Sequence, residues 1–213
     1  MRFDKKSLLL YAVTDRSWLG EKSLYEQVKS AIDGGITFVQ LREKNISEEK
    51  IINEALKIKE LCRSHNIPFI INDNVELARK INADGVHVGQ NDMKASEVRT
   101  VIGNDKILGV SVQTVKQAKL AQLQGADYLG VGAVFPTSSK ADADSVTFET
   151  LKEICESVSI PVVAIGGINS DNVLRLAKSG ISGVAVISAI FAAEDIKKAT
   201  KELKELTKKV VIE

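Results

Sequence analysis

Short apolar runs recur along the whole chain, each followed by a polar cluster and then by a stretch with helical spacing. The runs fall at 8–14, 36–41, 68–71, 85–88, 106–110, 128–131, 161–165 and 183–187 and are rich in Val, Ile and Leu. Such runs read as parallel strands buried on both faces. Between them, Ser47 with Glu49 and Lys50 opens a stretch in which Ile51, Ala55, Ile58 and Cys62 share one helical face. A second face holds Phe148, Leu151, Ile154, Cys155 and Val158, and a third Ile196, Ala199, Leu203, Leu206 and Val210. Gly34/Gly35, Gly125 and Gly180 stand where helices are expected to stop.

The count is eight strand and helix pairs. Over 213 residues that allows about 27 residues per pair, close to the smallest workable (β/α) unit, and leaves no room for a second domain. The expectation is therefore an α/β fold, a single-domain TIM (β/α)8 barrel over residues 1–213. A doubly wound open sheet is the competing architecture, but no Gly-rich dinucleotide loop follows the first run. If the barrel forms, the polar clusters all gather on the rim at the C-terminal ends of the strands, where such barrels carry their chemistry.

Composition narrows the classes of function. With 44% hydrophobic and 27% charged residues the chain can build a full core. A formal charge of +1 gives no surface for nucleic acid or an anionic membrane, so any anion site is local. Arg2, Lys5 and Lys6 precede the first run, but Asp15 ends it well short of a signal segment or a membrane span. Cys62 and Cys155 lie in helical patterns without metal-ligand spacing and read as core thiols, which suits a reducing cytoplasm.

In Gln40-Leu41-Arg42-Glu43-Lys44, strand alternation sends Gln40 and Arg42 toward the barrel interior and Leu41 toward the helices. A guanidinium fork and an ammonium at a strand end suit a phosphate or pyrophosphate; a solvated strand end is the plainer reading. Asn72 and Asp73 follow the third run and Asp92 the fourth. Two carboxylates facing a basic cluster are what Mg²⁺ held between protein and pyrophosphate requires. Each could instead cap a helix, since helices begin near Asn74 and Met93. Ser111 follows the fifth run. Gly166 and Gly167 follow the seventh and Ser188 the eighth, where barrels bind phosphate through backbone N–H groups, although a tight turn also fits. Thr137, Ser139 and Lys140 lie on a polar stretch, 136–147, long enough to be a lid. A shorter loop, 15–22, holds the only tryptophan, Trp18. His65 is expected exposed at a helix end, and His87 inside the barrel in a supporting role. Two separated anion sites, one with metal, imply two phosphorylated small-molecule substrates and a transferase with a pyrophosphate leaving group.

With these residues in place the chain resembles the thiamine-phosphate synthase (thiamine-phosphate pyrophosphorylase) family from Leu9 to Ala193. The resemblance is carried by Gln-Leu-Arg-Glu-Lys at 40–44, Ile-Asn-Asp at 71–73, and Gly-Val-His-Val-Gly-Gln at 85–90 with Asp92. It continues in Gly132 through Thr-Ser-Ser-Lys at 137–140, Ile-Gly-Gly at 165–167 and Val-Ile-Ser at 186–188. It implies a TIM barrel that joins 4-amino-5-hydroxymethyl-2-methylpyrimidine diphosphate to a thiazole phosphate and releases diphosphate. A carboxylated thiazole substrate would also lose carbon dioxide. By the same resemblance Gln40, Arg42, Lys44, Asn72, Ser111 and Lys140 bind the pyrimidine diphosphate, with Arg42, Lys44, Ser111 and Lys140 catalytic. Asp73 and Asp92 hold Mg²⁺, and Thr137, Ser139, Gly167, Ile187 and Ser188 bind the thiazole phosphate.

Two positions depart from the family pattern. Gly132 is followed by Ala133 where Pro is usual, and Ser139 stands where a second Thr is common. The rival readings are a thiazole tautomerase of the same superfamily and a noncatalytic thiamine-phosphate sensor. Neither needs a metal, so metal dependence separates them from a synthase.

Overall fold

The structure is a computed structural model that describes residues 4–43, 47–137 and 145–211. Eight strands form a closed barrel in chain order: β1 (Leu10–Val13), β2 (Phe38–Leu41), β3 (Phe69–Asn72), β4 (Gly85–Val88), β5 (Ile107–Val112), β6 (Tyr128–Val131), β7 (Val162–Ile165) and β8 (Gly183–Val186). Each is parallel to the next, and β8 closes on β1 with Leu10 opposite Val184. Every C-terminal strand end therefore reaches the same rim. β1 starts later than the apolar run because Lys5–Leu8 form a 3-10 turn, with Leu8 buried in the lumen. β5 runs beyond 110 to Val112 and carries Ser111 within the strand.

The described residues form eight helices: α1 (Leu24–Gly34), α2 (Glu48–Ser64), α3 (Val75–Lys80), α4 (Ala95–Ile102), α5 (Val115–Leu123), α6 (Phe148–Ser157), α7 (Ser188–Phe191) and α8 (Ile196–Val211). Local chemistry sets their starts. Ser23 and Glu26 form a reciprocal capping box on α1, while Asn74, Thr114 and Thr147 accept from the first turns of α3, α5 and α6. Gly35, at φ 99°, ends α1 as expected. The link from β7 to β8 departs from an even strand and helix alternation. It holds only a 3-10 turn, Val173–Leu176, against which α8 packs while also lying on α1.

The barrel wall separates two cores. The lumen holds Tyr11, Val13, Phe38, Ile70, Ile107, Tyr128, Val163 and Ala185. The outer core lies between strands and helices and includes Leu41, so the alternation expected for 40–42 holds there. Ala55, Ile58 and Cys62 of α2 and Leu151 and Ile154 of α6 are all fully buried. Phe148 is exposed, because α6 begins with it at the rim. On α8, Thr200 and Thr207 are as buried as their apolar neighbours. Their hydroxyls donate to the carbonyls of Ile196 and Leu203 at 2.6 and 2.8 Å, so no polar group is stranded. Burial pushes both cysteine thiols up to about 12, and neither is in a disulfide. No helix among the described residues is long and apolar enough to cross a membrane.

Leu151 is fully buried and Leu123 is 84% exposed. Leu151→Ala is expected to lower the unfolding free energy by about 2–5 kcal/mol, whereas Leu123→Ala changes it by less than about 0.5 kcal/mol. Urea titration of the two variants checks this.

Candidate active site

The rim is assembled from the residues that follow each strand. At the β1 and β2 ends, the Thr14 hydroxyl accepts from the Arg42 backbone N–H at 3.0 Å, while the Thr14 N–H donates to the Gln40 carbonyl at 3.0 Å. Asp15 accepts from Arg42 Nη1 at 2.8 Å, and both side chains are more than four-fifths covered. Arg16, one residue on, donates to Glu43 at 2.7 Å and also to Glu54 of α2. Two crossed ion pairs thus tie the β1 loop to the β2 end and hold the Arg42 guanidinium in place. Glu43 sits almost wholly inside, and burial raises its carboxyl despite Arg16. At Asp15 burial pulls the carboxyl upward but is outweighed by hydrogen bonds from Ser17 and the charge of Arg42, so it ends below its ordinary value. The sequence pattern does not single out Asp15 and Arg16, although they follow the first run just as the other clusters follow theirs, nor Thr14 at its end.

Gln40 lies deeper, buried in the lumen, and its Nε2 donates to the Tyr11 hydroxyl. The Tyr11 and Tyr128 hydroxyls are 2.9 Å apart. Tyr128 is 2.8 Å from His87 Nδ1, and His87 Nε2 is 2.8 Å from Ser111 Oγ. His87 thus faces the lumen, as strand alternation predicts, with its ring hydrogen-bonded to Ser111. His65 is exposed at the end of α2, also as expected.

At the neighbouring rim positions, Asn72 Nδ2 donates to Asp73 Oδ2 at 2.6 Å, and the Asp73 N–H donates to the His87 carbonyl at 2.8 Å. Asp73 adopts φ 60°, a left-handed conformation that costs a non-Gly residue energy and concentrates at functional positions. Asp92 Oδ2 accepts from the Gly89 N–H at 2.7 Å. Neither aspartate caps a helix: α3 is capped by Asn74 and α4 follows Lys94. Both are exposed at the ends of adjacent strands. Among the described residues no group of three or more His, Cys, Asp or Glu could hold a metal. Two hard carboxylates nevertheless suit Mg²⁺, which keeps several waters and takes its remaining ligands from substrate phosphates.

Half a barrel away, Gly166 (φ 98°) and Gly167 (φ 65°) follow β7. A Cβ on Gly167 would collide with the Pro136 carbonyl and lie 2.8 Å from that of Phe135, so only glycine allows these two loops to touch. The Val134 N–H donates to the Ile165 carbonyl at 3.0 Å and the Phe135 N–H to the Gly166 carbonyl at 3.1 Å, clamping the β6 and β7 loops together. Ile187 and Ser188 open α7 directly after β8. Thr137 is half-buried in the loop after β6. Of the expected site residues, Arg42, Asn72, Asp73, Asp92, Ser111, Thr137, Gly167, Ile187 and Ser188 lie at or just beyond strand ends on one rim, with Gln40 below it in the lumen. Lys44, Ser139 and Lys140, with most of the expected lid at 136–147, lie outside the described residues.

Comparison with known proteins agrees with this fold. A family model described as thiamine monophosphate synthase matches residues 10–190. The thiamine-phosphate synthase of Clostridium tetani is 55% identical over 91% of this chain and 93% of its own length. That of Methanobrevibacter smithii is 51% identical over 92% and 93%. Among solved structures, thiamine phosphate pyrophosphorylase from Pyrococcus furiosus superposes with a TM-score of 0.90 at 41% identity, covering 97% of this chain and 98% of that one. A match of this extent, on a closed barrel whose polar strand ends share one rim, establishes that the chain belongs to the thiamine monophosphate synthase family.

Proposed function

We propose that the chain joins 4-amino-5-hydroxymethyl-2-methylpyrimidine diphosphate to a thiazole phosphate, giving thiamine phosphate and diphosphate. The observation that carries this reading is the pairing of Arg42, held by Asp15, with Asp73 and Asp92 on the next strand ends, half a barrel from the Gly166–Gly167 turn. One cluster fits a diphosphate with its metal, and the other a single phosphate. The C–O bond to diphosphate breaks with its electron pair on oxygen, and the thiazole nitrogen supplies the pair for the new C–N bond. With a carboxylated thiazole, carbon dioxide leaves as well.

Asp73 and Asp92 would hold Mg²⁺, which when bound neutralises charge developing on the leaving diphosphate. The chain's own groups do the rest. Arg42 presents its fork to the diphosphate, joined by Lys44 and Lys140 from their sequence positions. Gln40, Asn72 and Ser111 orient the pyrimidine over the lumen. Backbone N–H groups at Gly167, Ile187 and Ser188, with the hydroxyls of Thr137 and Ser139, take the thiazole phosphate. The 136–147 stretch excludes water, which would otherwise capture the pyrimidinyl cation. No protein nucleophile is needed.

Mixing the protein with both substrates and Mg²⁺ and oxidising the product to fluorescent thiochrome is expected to show product, abolished by EDTA. Product formed without metal would overturn the metal assignment, and no product from folded protein would return the tautomerase or sensor reading. Asp92→Ala is expected to lower kcat by about 100-fold or more while thiazole-phosphate binding changes little. Arg42→Ala is expected to raise the KM for pyrimidine diphosphate by about 10–100-fold, the equivalent of one lost charge-assisted contact. Asp15→Asn loosens the same guanidinium and is expected to raise that KM severalfold. Because the Asp15 carboxyl is held low in the folded state, its contribution to stability is present above the ordinary Asp range and is lost as pH falls through the lowered value. Asp15→Asn is therefore expected to be less stable than the parent protein at pH 7 and to converge with it in acid, as denaturation across pH will show.

A further inference from the structure

Gln40, Tyr11, Tyr128, His87 and Ser111 form one continuous hydrogen-bonded row across the lumen, running from β2 through β1, β6 and β4 to β5. Each phenol has a single proton to give, so the row has a direction. With the Gln40 amide nitrogen donating to Tyr11, the Tyr11 proton passes to the Tyr128 oxygen and the Tyr128 proton to His87 Nδ1. His87 then carries its proton on Nε2 and donates it to Ser111 Oγ, leaving the Ser111 hydroxyl to donate out of the row. At the other end the Gln40 nitrogen is committed and its Oε1 is left to accept. Burial holds both phenols well above their ordinary range, so neither ionises and breaks the order. The surrounding wall is cut to fit the row. A Cβ on Gly109 would collide with the Tyr128 hydroxyl and His87 Nδ1, and one on Gly130 would lie 3.1 Å from His87 Cε1.

We infer that this row fixes the polarity of the pyrimidine pocket, with Gln40 as acceptor and Ser111 as donor, and so selects an amino-substituted over an oxo-substituted pyrimidine. The inference rests on the reading that Gln40 and Ser111 hold the pyrimidine. An exocyclic amine gives its N–H to Gln40 Oε1, whereas an oxo group there sets acceptor against acceptor. A buried polar contact left unmet in this way costs far more than a change of shape. Tyr11, Tyr128 and His87 act through Gln40 and Ser111 and are positioning residues.

The test uses the full chain. Nitrogen-15 NMR of the imidazoles is readable because the chain has 2 histidines, and His65→Gln assigns them. In the ligand-free protein the His87 proton is expected on Nε2, and Tyr128→Phe is expected to mix the two tautomers. Calorimetry with Mg²⁺ is expected to show the amino pyrimidine diphosphate binding about 100-fold tighter than its 4-oxo analogue, a gap that narrows about tenfold in Tyr128→Phe and in Tyr11→Phe, with His87→Gln retaining most of it through its own amide N–H. A proton found on Nδ1, or discrimination unchanged in a folded Tyr128→Phe or Tyr11→Phe variant, overturns the inference. Ser111→Ala separates the two readings. If it leaves pyrimidine diphosphate binding unchanged, the placement of the pyrimidine fails whatever the tautomer. If it weakens binding while the tautomer or the discrimination is wrong, the row alone fails.

Discussion

The closure of β8 onto β1 is the contact on which everything else in this protein depends. A parallel strand has backbone donors and acceptors along both edges, and joining the last strand to the first leaves none of the eight with an open edge. Because every pairing in the ring is parallel, all eight strands point one way around a small lumen. Residues far apart in the chain then face one another across it, and the loops after the strands crowd into a single mouth. Polar groups from separate loops meet there through closure alone.

Closure also creates an interior that must be filled, and this barrel fills it unequally. Its lower layers are apolar, with Leu8, Phe38, Ile70, Ile107 and Val163 around the ring of Tyr11. Phe38 and Tyr11 pack with centroids 4.6 Å apart, and Tyr128 meets both rings edge-on. Immediately above, the hydroxyls of the same tyrosines begin the polar layer. The two phenols are therefore the boundary between core and site, contributing area below and hydrogen bonds above. A buried polar layer is destabilising when half satisfied, and here every neighbour in the row supplies the partner that the next requires.

How much could be read beforehand follows from what a linear sequence records. Strand runs and the polar clusters behind them are local patterns, so the barrel, the inward Gln40 and the rim positions of Asp73 and Asp92 were legible. The partnership of Tyr11 with Tyr128 spans 117 positions, and in a strand buried on both faces tyrosine looks like one more apolar residue. The role of Asp15 and Arg16 was hidden for a similar reason, since their partners Arg42 and Glu43 come into reach only when β1 and β2 pair. Thr200 and Thr207 look polar but bury like valine because each hydroxyl is satisfied within its own helix. The β7–β8 connection has an apolar pattern and a terminal glycine like the others. Only its packing against α8 shows that a single 3-10 turn is enough there.

The backbone clamp between the β6 and β7 loops has an implication for redesign. Gly166 and Gly167 lie so close to Ala133, Phe135 and Pro136 that residues 133–136 and the turn after β7 cannot change shape independently. Lengthening one would pull two main-chain hydrogen bonds apart and leave their groups without partners. The pair therefore behaves as one exchangeable module, and a library that varies both loops together, anchored at Val134 and Ile165, is the one that keeps the mouth of the barrel intact.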